Sequence, residues 1–170
     1  MWCSIAPSTR SRRSSGVWPA RELVNFREMS GLEIFEAMRD GKLPHPTMAD
    51  TIPMRVTEAR PGYVKFHARA DGRHVNPLGG VHGGFAATVL DSVTGCAIHT
   101  MLEAGVGIGT IDLHVKMLKT VPLEQDLTAE GKVINISRSL GVSEASLRDA
   151  DGTLLAHATA TCAILRSPSG

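Results

Sequence analysis

The chain has 170 residues, enough for one domain with a sizeable core, and its 42% hydrophobic and 21% charged residues are the balance of an ordinary globular protein. No apolar run approaches the roughly 20 residues of a membrane-spanning helix. A formal net charge of +1 and few aromatics (2 Trp, 1 Tyr, 4 Phe) exclude a nucleic-acid surface built on basic charge or base stacking.

Residues 1–27 stand apart. They are rich in Ser and Arg, with Arg10, Arg12, Arg13, Arg21 and Arg27, and their first acid is Glu22. That composition fits an organelle transit peptide, a disordered extension, or an upstream start codon with Met29 as the natural beginning. The lack of an amphipathic period favours the extension, so the expected division is an extension over 1–29 and one domain over 30–166.

Ser30 to Arg39 predicts a short helix, with Ser30 as cap, Glu33 three residues on, and Leu32, Phe35 and Met38 at helical spacing. Thr51 to Ala70 predicts two strands joined at Arg60-Pro61-Gly62. After a loop over 71–81 comes the longest apolar-periodic segment, Gly83 to Leu102. It is apolar on most of its circumference, so the helix it predicts is buried on nearly all sides. Gly95 within it points either to a close backbone approach or to a tolerated defect. Strands follow at Ile111–Met117, Leu127–Ile136, Val142–Leu147 and Leu154–Leu165; in the first, Ile111, Leu113, Val115 and Met117 are expected to face one way. One long buried helix without helical partners needs strands for cover. The fold class is therefore α+β, a curved antiparallel sheet wrapped round one long central helix, with edge strands that a second subunit would protect.

Chemistry concentrates at Asn76, His82, Gly83, Asp91 and Thr110. Gly83 and Gly84 open the buried helix, where unpaired backbone N–H groups and the positive dipole end can stabilise a developing oxyanion. Asp91 is the only residue from Gly83 to Leu102, His99 aside, that carries charge at neutral pH. A carboxylate there is either paired with a neighbouring loop or used as base or nucleophile. Asp91 lies eight residues beyond Gly83, about 12 Å along the helix axis, so the two cannot act on one bond unless different subunits supply them.

Blander roles compete for the same residues: a turn for Asn76, a first-turn position for His82, an ordinary strand residue for Thr110. There is no G-x-S-x-G elbow, and Gly105, Gly107 and Gly109 precede a strand, not a helix, against a nucleotide loop. His67, His74 and His82 lack a Cys or carboxylate framework, so no metal is expected. Cys3, Cys96 and Cys162 form no motif, which points to a reducing cytoplasm.

Residues 76–91, Asn-Pro-Leu-Gly-Gly-Val-His-Gly-Gly-Phe-Ala-Ala-Thr-Val-Leu-Asp, resemble the signature of the phenylacetate-degradation-type (PaaI-like) hotdog-fold thioesterases. The likeness runs from about Gly31 to Leu165 and includes the strands around Gly109–Val115 and Ala158–Ile164. It implies a hotdog-fold acyl-CoA thioesterase needing no cofactor, whose homodimers pair into tetramers with active sites at the subunit interface. It also implies roles. Gly83 N–H polarises the thioester carbonyl and Asn76 helps to bind it. Asp91 activates water or attacks across the dimer, His82 stands near the leaving thiolate, and Thr110 orients the water. The CoA phosphates need a cation, for which Arg138, at a strand end between Ser137 and Ser139, is the candidate. Two other readings remain open: an acyl-CoA-binding hotdog protein without turnover, and a hotdog dehydratase or hydratase. The second wants a His beside the acid, whereas His99 lies two turns from Asp91.

Overall fold

The computed structural model describes residues 26–166. The expectations for residues 1–25 lie outside them. Within the expected extension, Phe26 and Met29 pack against the core.

Ser30 caps α1 (Gly31–Arg39) as expected. Its hydroxyl accepts from the Glu33 amide, and the Glu33 carboxylate accepts from the Ser30 amide at 2.7 Å. The helix buries Ile34, Phe35 and Met38; Leu32, expected on that face, is only partly covered. A single-turn helix, α2 (Met48–Thr51), occupies the segment after Pro44 and Pro46 and delays the first strand to Met54.

Six strands form one antiparallel sheet: β1 (Met54–Arg60), β2 (Tyr63–Ala68), β3 (Gly107–Met117), β4 (Leu127–Ile136), β5 (Leu140–Arg148) and β6 (Leu154–Leu165). Their order is β1-β2-β4-β5-β6-β3, so β1 and β3 are the edges. The long helix α3 (Gly83–His99) lies on one face and packs against β2 to β6. Leu90, Val89, Val93 and Ile98 are fully buried beneath it, each stabilising by about 1.5–3 kcal/mol relative to exposure. With the α1 layer this is the hotdog architecture: a curved sheet round one central helix.

Small residues shape the trough. Pairing aligns Val64, Gly131, Ala145, Ala158 and Val115 across five strands, with larger side chains only at the two ends. At Gly131 the helix backbone comes so close that a Cβ would lie 2.5 Å from the Val93 carbonyl oxygen. Gly95 is less demanding: a Cβ there would lie 3.2 Å from Ile108 Cδ1, the tip of a flexible side chain. Polar groups under the helix are paired. The Ser143 hydroxyl donates to the Thr94 carbonyl at 3.0 Å.

Three expectations are corrected. First, α3 ends at His99, not Leu102. The Thr100 hydroxyl turns back to donate to the Ala97 carbonyl while accepting from the Gly62 amide at 2.8 Å, which ties the helix end to the β1–β2 turn. Second, α3 is not buried on nearly all sides. Ala87, Thr88, Asp91, Ser92, Cys96 and His99 are only partly covered, because the sheet wraps one side of the helix. Third, Ile111 does not share a face with Leu113 and Val115. The β3–β6 register slips between Thr110 and Asp112, so Ile111 is the extra residue of a β-bulge and is 63% exposed.

Candidate active site

The bulge decides where Thr110 points. It switches the parity of β3, so that Thr110 joins Leu113 and Val115 on the helix side. The Thr110 hydroxyl donates to Asp91 Oδ1 at 3.0 Å and lies 3.8 Å from the buried Cys162 sulfur. Asp91 and Thr110, far apart in sequence, are thus brought together, and Asp91 is half-buried on the open flank of α3. One carboxylate oxygen is held by Thr110, on a strand and not on the neighbouring loop weighed above, and the flank beyond it is open. The neighbouring thiols are no rivals as nucleophiles. Burial, reinforced by the Asp91 charge, pushes the Cys96 thiol up to about 12, and burial also raises that of Cys162.

At the other end of α3, His82 is the N-cap. Its Nδ1 accepts the Gly84 amide at 2.8 Å, and its carbonyl accepts the Phe85 amide at 3.0 Å. Two of the first three helical N–H groups are therefore used. The Gly83 N–H finds no acceptor among the described residues. It lies at a cleft of about 550 Å³ lined by Asn76, Leu78, Met117, Leu118 and Val121 among others. Asn76 Oδ1 accepts the Leu78 amide at 2.9 Å, the turn role weighed above. Its Nδ2 stays available to an incoming oxygen. A second cleft, about 590 Å³, flanks the first turn and is lined by Thr51, Arg73, His82, Gly84 and Thr88 among others.

Sequence reasoning passed over His74 except as a possible ligand. Its nearly buried ring accepts the Asp71 amide at 3.0 Å on Nδ1 and donates from Nε2 to the Thr51 carbonyl at 2.8 Å. Its own carbonyl accepts the His82 amide at 2.7 Å. His74 thus clamps the loop that presents Asn76, His82 and Gly83. The only available signal was a histidine two residues before that motif. Arg138 sits in the exposed turn between β4 and β5. Gly141, just beyond it, pairs with Cys162, which pairs with Thr110, so Arg138 is at the Thr110 end of the sheet, beyond a residue two strands away from Thr110. Among the described residues, no three His, Cys, Asp or Glu side chains cluster to hold a metal ion, and no helix is long and apolar enough to cross a membrane.

What the arrangement offers is an N–H and an amide for a carbonyl oxygen at one end of α3, and a hydroxyl-held carboxylate two turns along. As α3 is unbroken, about 12 Å of helix separates them. Removing the Thr110 hydroxyl should leave Asp91 in place but free to swing. Thr110→Ala is expected to lower kcat roughly tenfold, the worth of one hydrogen bond to a charged group, with KM little changed. Steady-state kinetics would check it, and an unchanged kcat would remove Thr110 from the site.

The family model that matches is that of the Thioesterase superfamily, over residues 78–156. An esterase-named protein of Halobacterium salinarum is 39% identical over 71 residues, 41% of this chain, and the match spans 46% of that relative's own length. Human acyl-coenzyme A thioesterase 13 is 24% identical over 103 residues, covering 60% of this chain and 73% of that protein. Among solved structures, a phenylacetic acid degradation-related protein of Ralstonia eutropha, described as a thioesterase, superposes with a TM-score of 0.69 at 28% identity, covering 76% of this chain and 98% of that one. Motif, fold and relatives agree: over residues 78–156 the chain matches the thioesterase superfamily, and its hotdog fold is similar to that of a thioesterase of the phenylacetate-degradation (PaaI-like) kind.

Proposed function

We propose that the protein hydrolyses acyl-CoA thioesters in a homodimer, or a dimer of dimers, whose active sites lie between subunits. The thioester oxygen sits on the Gly83 N–H and Asn76 of one subunit, and Asp91 of the other activates water or attacks. The observation that carries this reading is the unmatched Gly83 N–H, open to a cleft, on the same helix as a carboxylate that cannot reach it. Two antiparallel copies of α3 about a two-fold axis would bring each donor to the other's acid. The edge strand β3, with Ile111 63% and Met117 50% exposed, is the natural seam, since pairing it would cover unmet ladder groups. An acyl-CoA substrate is supported by what human acyl-coenzyme A thioesterase 13 is named for. Arg138 stays the candidate for the CoA phosphates, and no cofactor enters the reaction.

Thiol release from short, long and aryl acyl-CoAs tests the activity, and complementation tests the shared site. Gly83→Pro removes the donor at the first helical position, where proline is well accommodated, and His82 already has the extended backbone (φ −66°, ψ 136°) that proline requires before it. Gly83→Pro and Asp91→Asn proteins, each nearly inactive, should regain activity when refolded together, because a mixed dimer contains one site with both groups intact. Absence of recovery in demonstrated mixed dimers would defeat the shared-site arrangement.

A further inference from the structure

The loop over 75–81 carries Asn76 and runs straight into His82 and Gly83, and its own hydrogen bonds fasten it only to itself. Val75 and Val81 form an isolated antiparallel bridge, the Asn76 amide donates to the Gly80 carbonyl at 2.8 Å, and the Gly79 amide donates to the Asn76 carbonyl at 2.9 Å. Among the described residues, every hydrogen bond of residues 75–82 stays between His74 and the first turn of α3. The tie to the rest of the fold falls to the ring of His74. We infer that His74 is a positioning residue for the hydrolysis: its bond to the Thr51 carbonyl, at the end of α2, sets where the loop holds Asn76 and where the Gly83 N–H points. The inference rests on the thioesterase reading above.

The ring is 8% exposed and lies against Phe85, with centroids 5.2 Å apart, so it has no room to turn to other partners. Its Nδ1 receives the Asp71 amide, which leaves the ring proton on Nε2, facing Thr51. The Asp71 carboxylate, 3.2 Å from Nδ1, is itself taken by Arg73 at 2.8 Å. With both nitrogens bonded, His74 has no free group for a substrate and acts through the backbone. Its carbonyl takes the His82 amide at 2.7 Å, and His82 in turn takes the Gly84 and Phe85 amides. The direction of the remaining amide, that of Gly83, therefore follows from where His82 is held. A donor to a developing oxyanion must be aimed at the place where the charge appears, and a misplacement on the order of 1 Å costs the transition state more than the bound ester. Arg73 also reaches α2, at the Asp50 carbonyl 3.2 Å away, but from an exposed position where water competes.

His74→Gln and His74→Asn separate the two ring bonds. A glutamine amide reaches as far as Nε2 and still donates to Thr51, whereas an asparagine amide ends near Nδ1 and keeps only the local bond from Asp71. His74→Asn is expected to lower kcat for acyl-CoA hydrolysis roughly tenfold or more while KM stays within about twofold, and His74→Gln to recover most of that loss. A residue needed only for folding would lower both variants alike through the fraction of active protein, so kcat is referred to folded protein measured by circular dichroism. Equal losses in the two variants, or no loss in His74→Asn, overturn the inference. The backbone amide NMR signals of His82 and Gly83 give a reading independent of turnover: they should move in His74→Asn and lie near the parental positions in His74→Gln. If the parent hydrolyses no acyl-CoA, the thioesterase reading fails by itself, and these signals alone sustain or overturn the hold of His74 on the loop. Should neither variant fold, NMR of the parent's ring nitrogens decides. A proton on Nε2 protected from exchange sustains the bond to Thr51, and a proton on Nδ1 in its place overturns the inference.

Discussion

Asp91→Asn is expected to lower thioester turnover by about 10² or more, the scale of positioned acid–base or nucleophilic catalysis, while leaving the fold intact. The carboxamide is nearly the size of the carboxylate, and its oxygen can still accept from the Thr110 hydroxyl. The side chain is half-buried on an open flank, so no cavity forms. What is lost is the capacity to take a proton from water or to attack the carbonyl carbon. Thiol release from acyl-CoA under saturating substrate measures it, with a thermal melt on the same preparation to confirm that the fold survives. The effect should exceed that of Thr110→Ala by about tenfold, since the hydroxyl only holds the group that reacts. Parental turnover in Asp91→Asn would mean that another group performs the chemistry, and the assignment of this flank of α3 would fall.

A large effect on stability is expected at Gly131. A Cβ there would lie 2.5 Å from the Val93 carbonyl oxygen and 2.7 Å from Val93 Cγ1. One of those atoms is helix backbone, and Val93 itself is fully buried, so neither can swing aside. Relief requires lifting α3 off the sheet, which loosens the packing of Leu90 and Val89 as well. Gly131→Ala should therefore cost about 3 kcal/mol, the upper end for overpacking, and lower Tm by about 6–12 °C. A parental melting temperature would show that the helix rides on the sheet with slack to spare.

Much of the frame was legible in the residues because its signals are local. The Ser30–Glu33 capping box gave α1, Pro61-Gly62 gave the first hairpin, and apolar periodicity gave α3 and the strands β4 and β6. The misreadings share one cause: they depend on what lies opposite in space. Strict alternation in Ile111–Met117 conceals the bulge, because an inserted residue shows only against the partner strand, and here it reversed the side on which Ile111 lies. The half-open flank of α3 was likewise hidden, since apolar residues round most of the circumference predicted cover on nearly all sides, whereas the sheet covers one side only. Gly131, in the middle of β4, was not singled out, because a weak point and a close approach look alike in sequence and only distance separates them. As for the site, its members were named by the motif, whereas their grouping came from the fold. Asp91 joins Thr110, Gly83 joins Asn76 and Met117, and His82 acts first of all as the cap that leaves Gly83 as the unmatched donor.

The position of β3 at the end of the sheet also bears on how the protein comes to be made. Among the described residues this strand has a single neighbour, β6, and residues 154–165 are synthesised after everything else in the sheet. While the polypeptide emerges, β1, β2, β4 and β5 can zip together beneath α3, but residues 107–117 have nothing to pair with. The Thr110 hydroxyl that steadies Asp91 is thus among the last groups to arrive, and the seam proposed for the second subunit forms after it. Such a strand waits on a long-range closure, the slow kind, and meanwhile presents a sticky ribbon to neighbouring nascent chains. Catalytic competence, assembly and protection from aggregation would then all be gained at one moment late in biogenesis, when β6 slides into place.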